Sequence, residues 1–383
     1  MRGRWRSAAG LILALPAGVA ALLLASSPPT YPLWVAHFLC LELSLAVASA
    51  AALALLVTVG GTGRAAAVAR LIAVPALIVA LMPALLVVSP YREARAPFSL
   101  RAYAPAFGAE PPSRRDVILD PARPDLAVDL DLPAGAGPHP FVLVVHGGAW
   151  RSGDKGAMRH FSRALARAGH VVVDVRYRLA PGSPFPAAVA DVKCLLGRVR
   201  QRAAELAIDP DRGALLGRSA GGQIALVAAY SAGDARLPPA CAVEDLAVSS
   251  VVGLYAPTDL AWSYDSPVRP DVVEGPHVLE LYLGGAPSEV PEAYRLASPV
   301  TWVDRAVPRT LLIHGTGDRL VSVENARRLG RALRDRGHAV EVLEIPLAEH
   351  GFDAHAGGLA DQLAREVVLR FLTDAHGAAA ARR

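Results

Sequence analysis

The stretch Gly217-Arg218-Ser219-Ala220-Gly221-Gly222 constrains the fold of this chain more than any other, because it sets a serine between glycines where an apolar strand meets an apolar helix. Ala214-Leu215-Leu216 runs into it and Gln223-Ile224-Ala225-Leu226-Val227 runs out. A strand that becomes a helix within a few residues leaves no room for side chains two positions either side of the apex, and Gly217 and Gly221 supply that clearance. Ser219 is then left standing at the end of a strand.

The rest of the second part of the chain fits this unit. From Asp116 onward, apolar runs of strand length alternate with helical patterns, which predicts an α/β fold with a mainly parallel sheet covered by helices on both faces. Strands are expected at Pro140–Val145, Val171–Val175, Ala214–Gly217, Ala247–Tyr255, Thr310–Ile313 and Ala339–Ile345. Helices are expected at Met158–Ala168, Ala187–Leu206, Ala220–Ala232, Glu324–Arg336 and Gly358–Leu372, with a leading hairpin from Arg115–Leu119 and Leu126–Leu132. The segment 257–299, rich in Pro, Asp and aromatics, interrupts the alternation and reads either as a surface excursion or as a cap over a pocket. This domain spans 115–383, after a linker at 96–114.

Residues 1–95 are different. The chain is 53% hydrophobic with a mean hydropathy of +0.33, high for one soluble domain, and the excess lies here. The runs 8–27, 43–60 and 71–89 carry no charge apart from their flanks, and each is long enough to cross a hydrocarbon core of roughly 30 Å. They predict a membrane arm of three transmembrane helices. The first run has a second reading, a cleaved signal peptide, since Arg2, Arg4 and Arg6 form a basic leader. Glu42 reads either as an intramembrane functional carboxylate or, in preference, as the outer end of the second helix beside the interfacial aromatics Tyr31, Trp34 and Phe38. Those arginines, with Arg64 and Arg70 between the second and third runs and no Lys or Arg from Ser27 to Glu42, predict that the N-terminus faces the cytoplasm and the domain at 115–383 the extracytoplasmic side. Arg92, Arg95 and Arg101 oppose that asymmetry.

The same arginines explain the basic pI of 9.1. Residues 1–101 hold eight Arg against Glu42 and Glu93, a balance of +6, leaving 31 basic against 33 acidic residues beyond. A near-neutral globular part has no footprint for a phosphate backbone, so nucleic acid is not an expected partner. Spacing leaves open whether Cys194 and Cys241 form a disulfide, and no Cys/His cluster has zinc-ligand spacing.

A serine acting on a carbonyl needs a base for its proton, a carboxylate to orient the base and donors for the developing oxyanion, all at the carboxyl ends of strands. Asp318 follows one expected strand through His314-Gly315-Thr316-Gly317, and His350 follows the next in Ala348-Glu349-His350-Gly351-Phe352. The order Ser219, Asp318, His350 suits such a triad. Asp353 and Asp259 are the alternative carboxylates. His146 and His314 read as structural loop residues, and His338 and His355 as solvated. His146-Gly147-Gly148-Ala149-Trp150, directly after a strand, offers backbone donors, so the oxyanion hole is assigned to Gly147, Gly148 and Ala220. Trp150 either walls a pocket or covers the core.

Taken with Tyr177-Arg178-Leu179-Ala180-Pro181 and Phe185-Pro186-Ala187, these motifs run in family order over roughly residues 140 to 355. The chain resembles the hormone-sensitive-lipase-like esterases of the α/β-hydrolase superfamily. The resemblance implies hydrolysis of small-molecule carboxylic esters, with lipophilic ones suggested by the membrane arm, and no metal or organic cofactor. Arg218 departs from the acidic residue many relatives carry beside the serine and leaves open a neighbouring branch of carbohydrate-ester or feruloyl-type esterases. The same triad also serves acyl transfer or peptide cleavage, and a membrane scaffold on a retired hydrolase domain is the non-enzymatic alternative. Oligomeric state is not legible.

Overall fold

A computed structural model describes residues 2–103 and 111–380. Part of the expected linker, 104–110, lies outside the described residues. The arm contains α1 (Arg2–Ala25), α2 (Tyr31–Glu42), α3 (Ser44–Val57), α4 (Arg64–Leu86), α5 (Val88–Glu93) and α6 (Leu100–Tyr103). Beyond it, α7 (Arg159–Arg167), α8 (Ala187–Gln201), α9 (Ala203–Leu206), α10 (Ala220–Tyr230), α11 (Leu260–Asp265), α12 (Gly275–Leu283), α13 (Pro291–Ala297), α14 (Glu324–Asp335) and α15 (Leu359–Ala380) surround a sheet.

The sheet has eight strands: β1 (Arg114–Val117), β2 (Val128–Asp131), β3 (His139–Val145), β4 (Val171–Val175), β5 (Ile208–Arg218), β6 (Ser250–Leu254), β7 (Arg309–Gly315) and β8 (Val340–Ile345). Their order is β1-β2-β4-β3-β5-β6-β7-β8, antiparallel at the β1/β2 and β2/β4 pairs and parallel from β4 to β8. The central strands read as continuous apolar runs because both faces are covered. Leu143, Val145, Val173 and Leu215 pack under α8, α10 and α14, while their neighbours Val142, Val144, Val172 and Leu216 pack under α7 and α15. Cys194 of α8 and Cys241 form a disulfide across 47 residues.

In the arm, α1, α3 and α4 pack through small side chains, among them Ala14, Ala17, Ala51, Ala54, Ala69, Ala73 and Ala76. Close backbone approach through small residues is how helices associate in lipid. Large apolar side chains point the other way: among the described residues, the exposed ones beyond Leu100 are only Ile118, Val268 and Leu347. Two helical stretches, Trp5–Ala25 and Arg64–Glu93, are long and apolar enough to cross a membrane, or three if a bent pair counts as one span. That pair, α2 and α3, corrects the expected second span over 43–60. The helix breaks at Leu43 with a bend of 71°, and α3 has 14 residues. Tyr103 explains the break: its hydroxyl donates to the Glu42 carbonyl at 2.7 Å and accepts from the Leu45 N–H at 3.2 Å.

Candidate active site

The elbow forms between β5 and α10. A Cβ on Gly217 would lie 2.1 Å from the Gly221 carbonyl oxygen, and one on Gly221 would lie 2.2 Å from that of His146. The two glycines let the strand, the helix and the loop after β3 converge. Ser219 itself sits at φ +52°, ψ −128°, a conformation unfavourable for a side-chain-bearing residue, and its N–H is tied to the Leu254 carbonyl at 2.9 Å. The hydroxyl is thereby held out at the carboxyl end of the sheet.

His350 and Asp318 come to the same edge. His350 Nε2 lies 2.8 Å from Ser219 Oγ, and His350 Nδ1 lies 2.8 Å from Asp318 Oδ2. A carboxylate only accepts, so Nδ1 carries the proton and the Nε2 lone pair faces the serine hydroxyl. Asp318 Oδ1 accepts from the N–H groups of Leu320 and Val321 at 2.9 and 2.8 Å. Burial alone would raise the Asp318 carboxyl, but His350 and His314 outweigh it and hold the carboxyl below the ordinary carboxylate range. His314 Nε2, 3.2 Å from Asp318 Oδ2 and 2.9 Å from the Val321 carbonyl, braces this loop. Tyr255 meets the His350 imidazole edge-on at 4.7 Å.

The loop after β3 supplies the third side. Gly147 lies against the elbow, where a Cβ would come within 3.2 Å of Ser219 Cβ, and Gly148 sits at φ +123°, which L side chains rarely adopt. Gly147, Gly148 and the first residue of α10, Ala220, all line the cavities that open at Ser219. Trp150 both walls and covers: it lines the smaller cavity, stacks on Tyr282 at 4.4 Å and donates its indole N–H to Gln223 at 2.8 Å.

The competing carboxylates go elsewhere. Asp259 caps α11 and pairs with Arg328 at 2.7 Å. Asp353 is buried against Arg218 at 3.0 Å and accepts from the Tyr255 hydroxyl. Two histidines expected to be solvated are not. His338 bonds the Val303 carbonyl at 2.8 Å, and His355 is half-buried against Tyr103 and Glu42. Glu42 is itself buried, facing Gly358 rather than marking an exposed boundary.

Two further sets of residues meet at the site, the first from the segment read as a surface excursion or a cap, the second not assigned to the site from the sequence. The 257–299 segment contributes Trp262, Pro267, Val268, Val273, Val278 and Leu279 to a cavity of about 130 Å³ beside Ser219. Helix α2 contributes Tyr31, Trp34 and Phe38 to a second of about 900 Å³. The aromatic spacing was visible as signal for the latter, but it also describes a membrane-interface belt, and only the bend at Leu43 turns it toward the serine.

A mainly parallel sheet, a serine on a strand-to-helix elbow and a hydrogen-bonded histidine and aspartate after later strands define an α/β-hydrolase. The family model described as BD-FAE matches residues 128–333, and the chain belongs to that family. It is 32% identical to the probable carboxylic ester hydrolase LipM of Mycobacterium tuberculosis over 249 residues, which cover 62% of this chain and 56% of LipM. It is 30% identical to esterase LipQ of the same organism over 269 residues, covering 70% of this chain and 61% of LipQ. The chain thus spans less than two thirds of the length of either. Among solved structures, propionate-bound Est2, an esterase of Thermogutta terrifontis, has 25% identity and a TM-score of 0.57, covering 70% of this chain and 94% of its own. A bacterial heroin esterase has 26% identity and a TM-score of 0.54, covering 65% and 79%.

Proposed function

We propose that this protein is a membrane-anchored serine carboxylesterase that cleaves small-molecule esters through an acyl-enzyme on Ser219. The observation that carries the reading is the chain of contacts from Ser219 Oγ to His350 to Asp318, 2.8 Å at each step, opening onto apolar cavities. His350 takes the serine proton as Oγ bonds the ester carbonyl carbon, and Asp318 keeps the imidazole in the required tautomer and stabilises the imidazolium. The N–H groups of Gly147, Gly148 and Ala220 receive the oxyanion, a contribution of about 10² to 10³ in turnover for a single donor. Collapse expels the alcohol, which takes the proton from His350. Water, deprotonated by the same imidazole, then releases the acid and restores Ser219.

The relatives named as ester hydrolases support the reaction type, and propionate bound to Est2 supports short acyl groups. The apolar exterior of α1, α3 and α4 supports three crossings, with α3 joined to α2 as the bent second one. An extracytoplasmic catalytic domain follows from the arginines before α1 and between α3 and α4. The Cys194–Cys241 disulfide supports the same side, since disulfides persist in oxidising compartments.

Turnover of p-nitrophenyl butyrate by the purified full chain tests the reading. Ser219→Ala should lower kcat by about 10⁴-fold or more while the protein remains folded by circular dichroism. Folded Ser219→Ala protein with undiminished turnover contradicts it.

A further inference from the structure

Ser219 and His350 stand on the boundary of two cavities that differ in size and in wall. The smaller, about 130 Å³, is closed by the 257–299 segment. An apolar cavity of roughly 150 Å³ holds one benzene-sized group, so this limb has room for a short acyl chain only. The larger, about 900 Å³, runs from Gly147 and Gly148 to α2, whose Tyr31, Trp34, Val35, Phe38 and Leu39 form its far wall.

The wall is a built surface. Tyr31, Trp34 and Phe38 fall at i, i+3 and i+7, on one face of the helix. Tyr31 stacks on Trp34 at 5.5 Å and Trp34 on Phe38 at 5.8 Å. The helix is fastened along its length to the catalytic domain. Ahead of its start, Arg269 donates to the Pro28 carbonyl at 2.8 Å and to Ser27 Oγ at 2.5 Å. In its middle, Arg319 donates to His37 Nε2 at 2.9 Å, while His37 Nδ1 bonds the Leu23 carbonyl at the end of α1 at 2.8 Å. Arg319 also pairs with Glu349, so the residues that hold α2 are the chain neighbours of Asp318 and His350. At its end, His355 Nδ1 lies 3.2 Å from the Glu42 carbonyl, which Tyr103 of α6 also holds.

This roof belongs to the arm. It joins α1 to α3, whose outer faces expose Ile12, Leu15, Val19, Leu53 and Leu56. The aromatic wall is therefore continuous in the chain with the surface that would face lipid.

We propose that the substrates are short-acyl esters of a bulky apolar alcohol held in the bilayer, with the acyl group in the limb under the 257–299 segment and the alcohol chain against the aromatic face of α2. The inference rests on the ester-hydrolase reading above and names its substrate class. In the reaction the acyl carbon bonds to Ser219 Oγ, the bond from that carbon to the long alcohol's oxygen breaks, and the alcohol leaves with the His350 proton. A soluble ester has no moiety to fill the larger limb and forfeits that contact.

The full chain in phosphatidylcholine vesicles tests this with hexadecyl acetate dissolved in the bilayer and p-nitrophenyl acetate in the water. The readout is the ratio of kcat/KM for the first ester to that for the second. Combined Trp34→Ala and Phe38→Ala should lower the ratio about tenfold or more, the effect of losing buried aromatic contact, whereas Trp34→Phe should keep most of it. An unchanged ratio in the double variant overturns the inference. If that variant no longer reacts with a fluorophosphonate, Phe38→Leu, which keeps apolar volume and removes the stacked ring, carries the same comparison: a lowered ratio supports the inference and an unchanged one overturns it. Wild-type protein that hydrolyses p-nitrophenyl acetate but not hexadecyl acetate also overturns it while leaving the ester-hydrolase reading intact. Wild-type protein inactive on both contradicts that reading itself.

Discussion

Arg218, half-buried, pairs with the buried Asp353 directly beside the candidate nucleophile, and the physics of that pair assigns Arg218 a structural task. The Asp353 side chain is fully buried, and the guanidinium offsets a burial that by itself would raise its carboxyl, leaving it below the usual carboxylate range. Removing one member of such a pair strands a charge. Arg218→Met should therefore destabilise the protein by about 3 to 5 kcal/mol, read from urea unfolding, and adding Asp353→Leu should recover much of the loss. A single variant as stable as wild type would show that the pair does not hold the elbow. At this scale the glycines around Ser219 and the short turns before Asp318 and His350 were legible, because their spacing follows from local backbone geometry. The pairing of Arg218 was not, since its partner lies 135 residues away and only the folded loop after β8 brings it near.

At the level of elements, the strands that emerged from the sequence were those buried on both faces. β4 coincides with the expected Val171–Val175, whereas β5 begins earlier than its apolar core, at Ile208, because its polar start continues alongside β3 through a bulge. The break at Leu43 was invisible for a different reason. Glu42 read as the end of a span rather than as a bend between two helices, and the contacts at the break come from Tyr103, far along the chain. Element packing also sets an acid sensitivity. His170, ahead of β4, and His376, in α15, face each other at 5.2 Å, and burial lowers them to about 4 and about 3. An unfolded histidine binds a proton below about pH 6.5, so between there and about pH 4 the unfolded chain holds more protons and stability falls as pH falls. Thermal unfolding followed across that window should show the decline, and His376→Phe should make it shallower. A midpoint independent of pH from 6.5 to 4 would contradict the assignment.

For the whole molecule, an arm of apolar helices and an α/β-hydrolase domain meet through α2, and also through Tyr91 and Ser99, which bond Leu359 and Gln362. Composition separated the two parts, because the arm exposes large apolar side chains that the α/β domain, among the described residues, mostly buries. It did not reveal that they touch, since Arg319 to His37 and Arg269 to the Pro28 carbonyl are long-range contacts with no local sequence signature. The central claim is that Ser219 is the nucleophile of this assembled molecule. Membranes carrying the full chain, washed with alkaline carbonate, treated with a fluorophosphonate and analysed by peptide mass spectrometry, test it most directly. One adduct is expected, on Ser219, in protein that stays with the membrane pellet, and it should be lost in His350→Ala. Recovery of the Ser219 peptide unmodified, or an adduct on another serine, would contradict it.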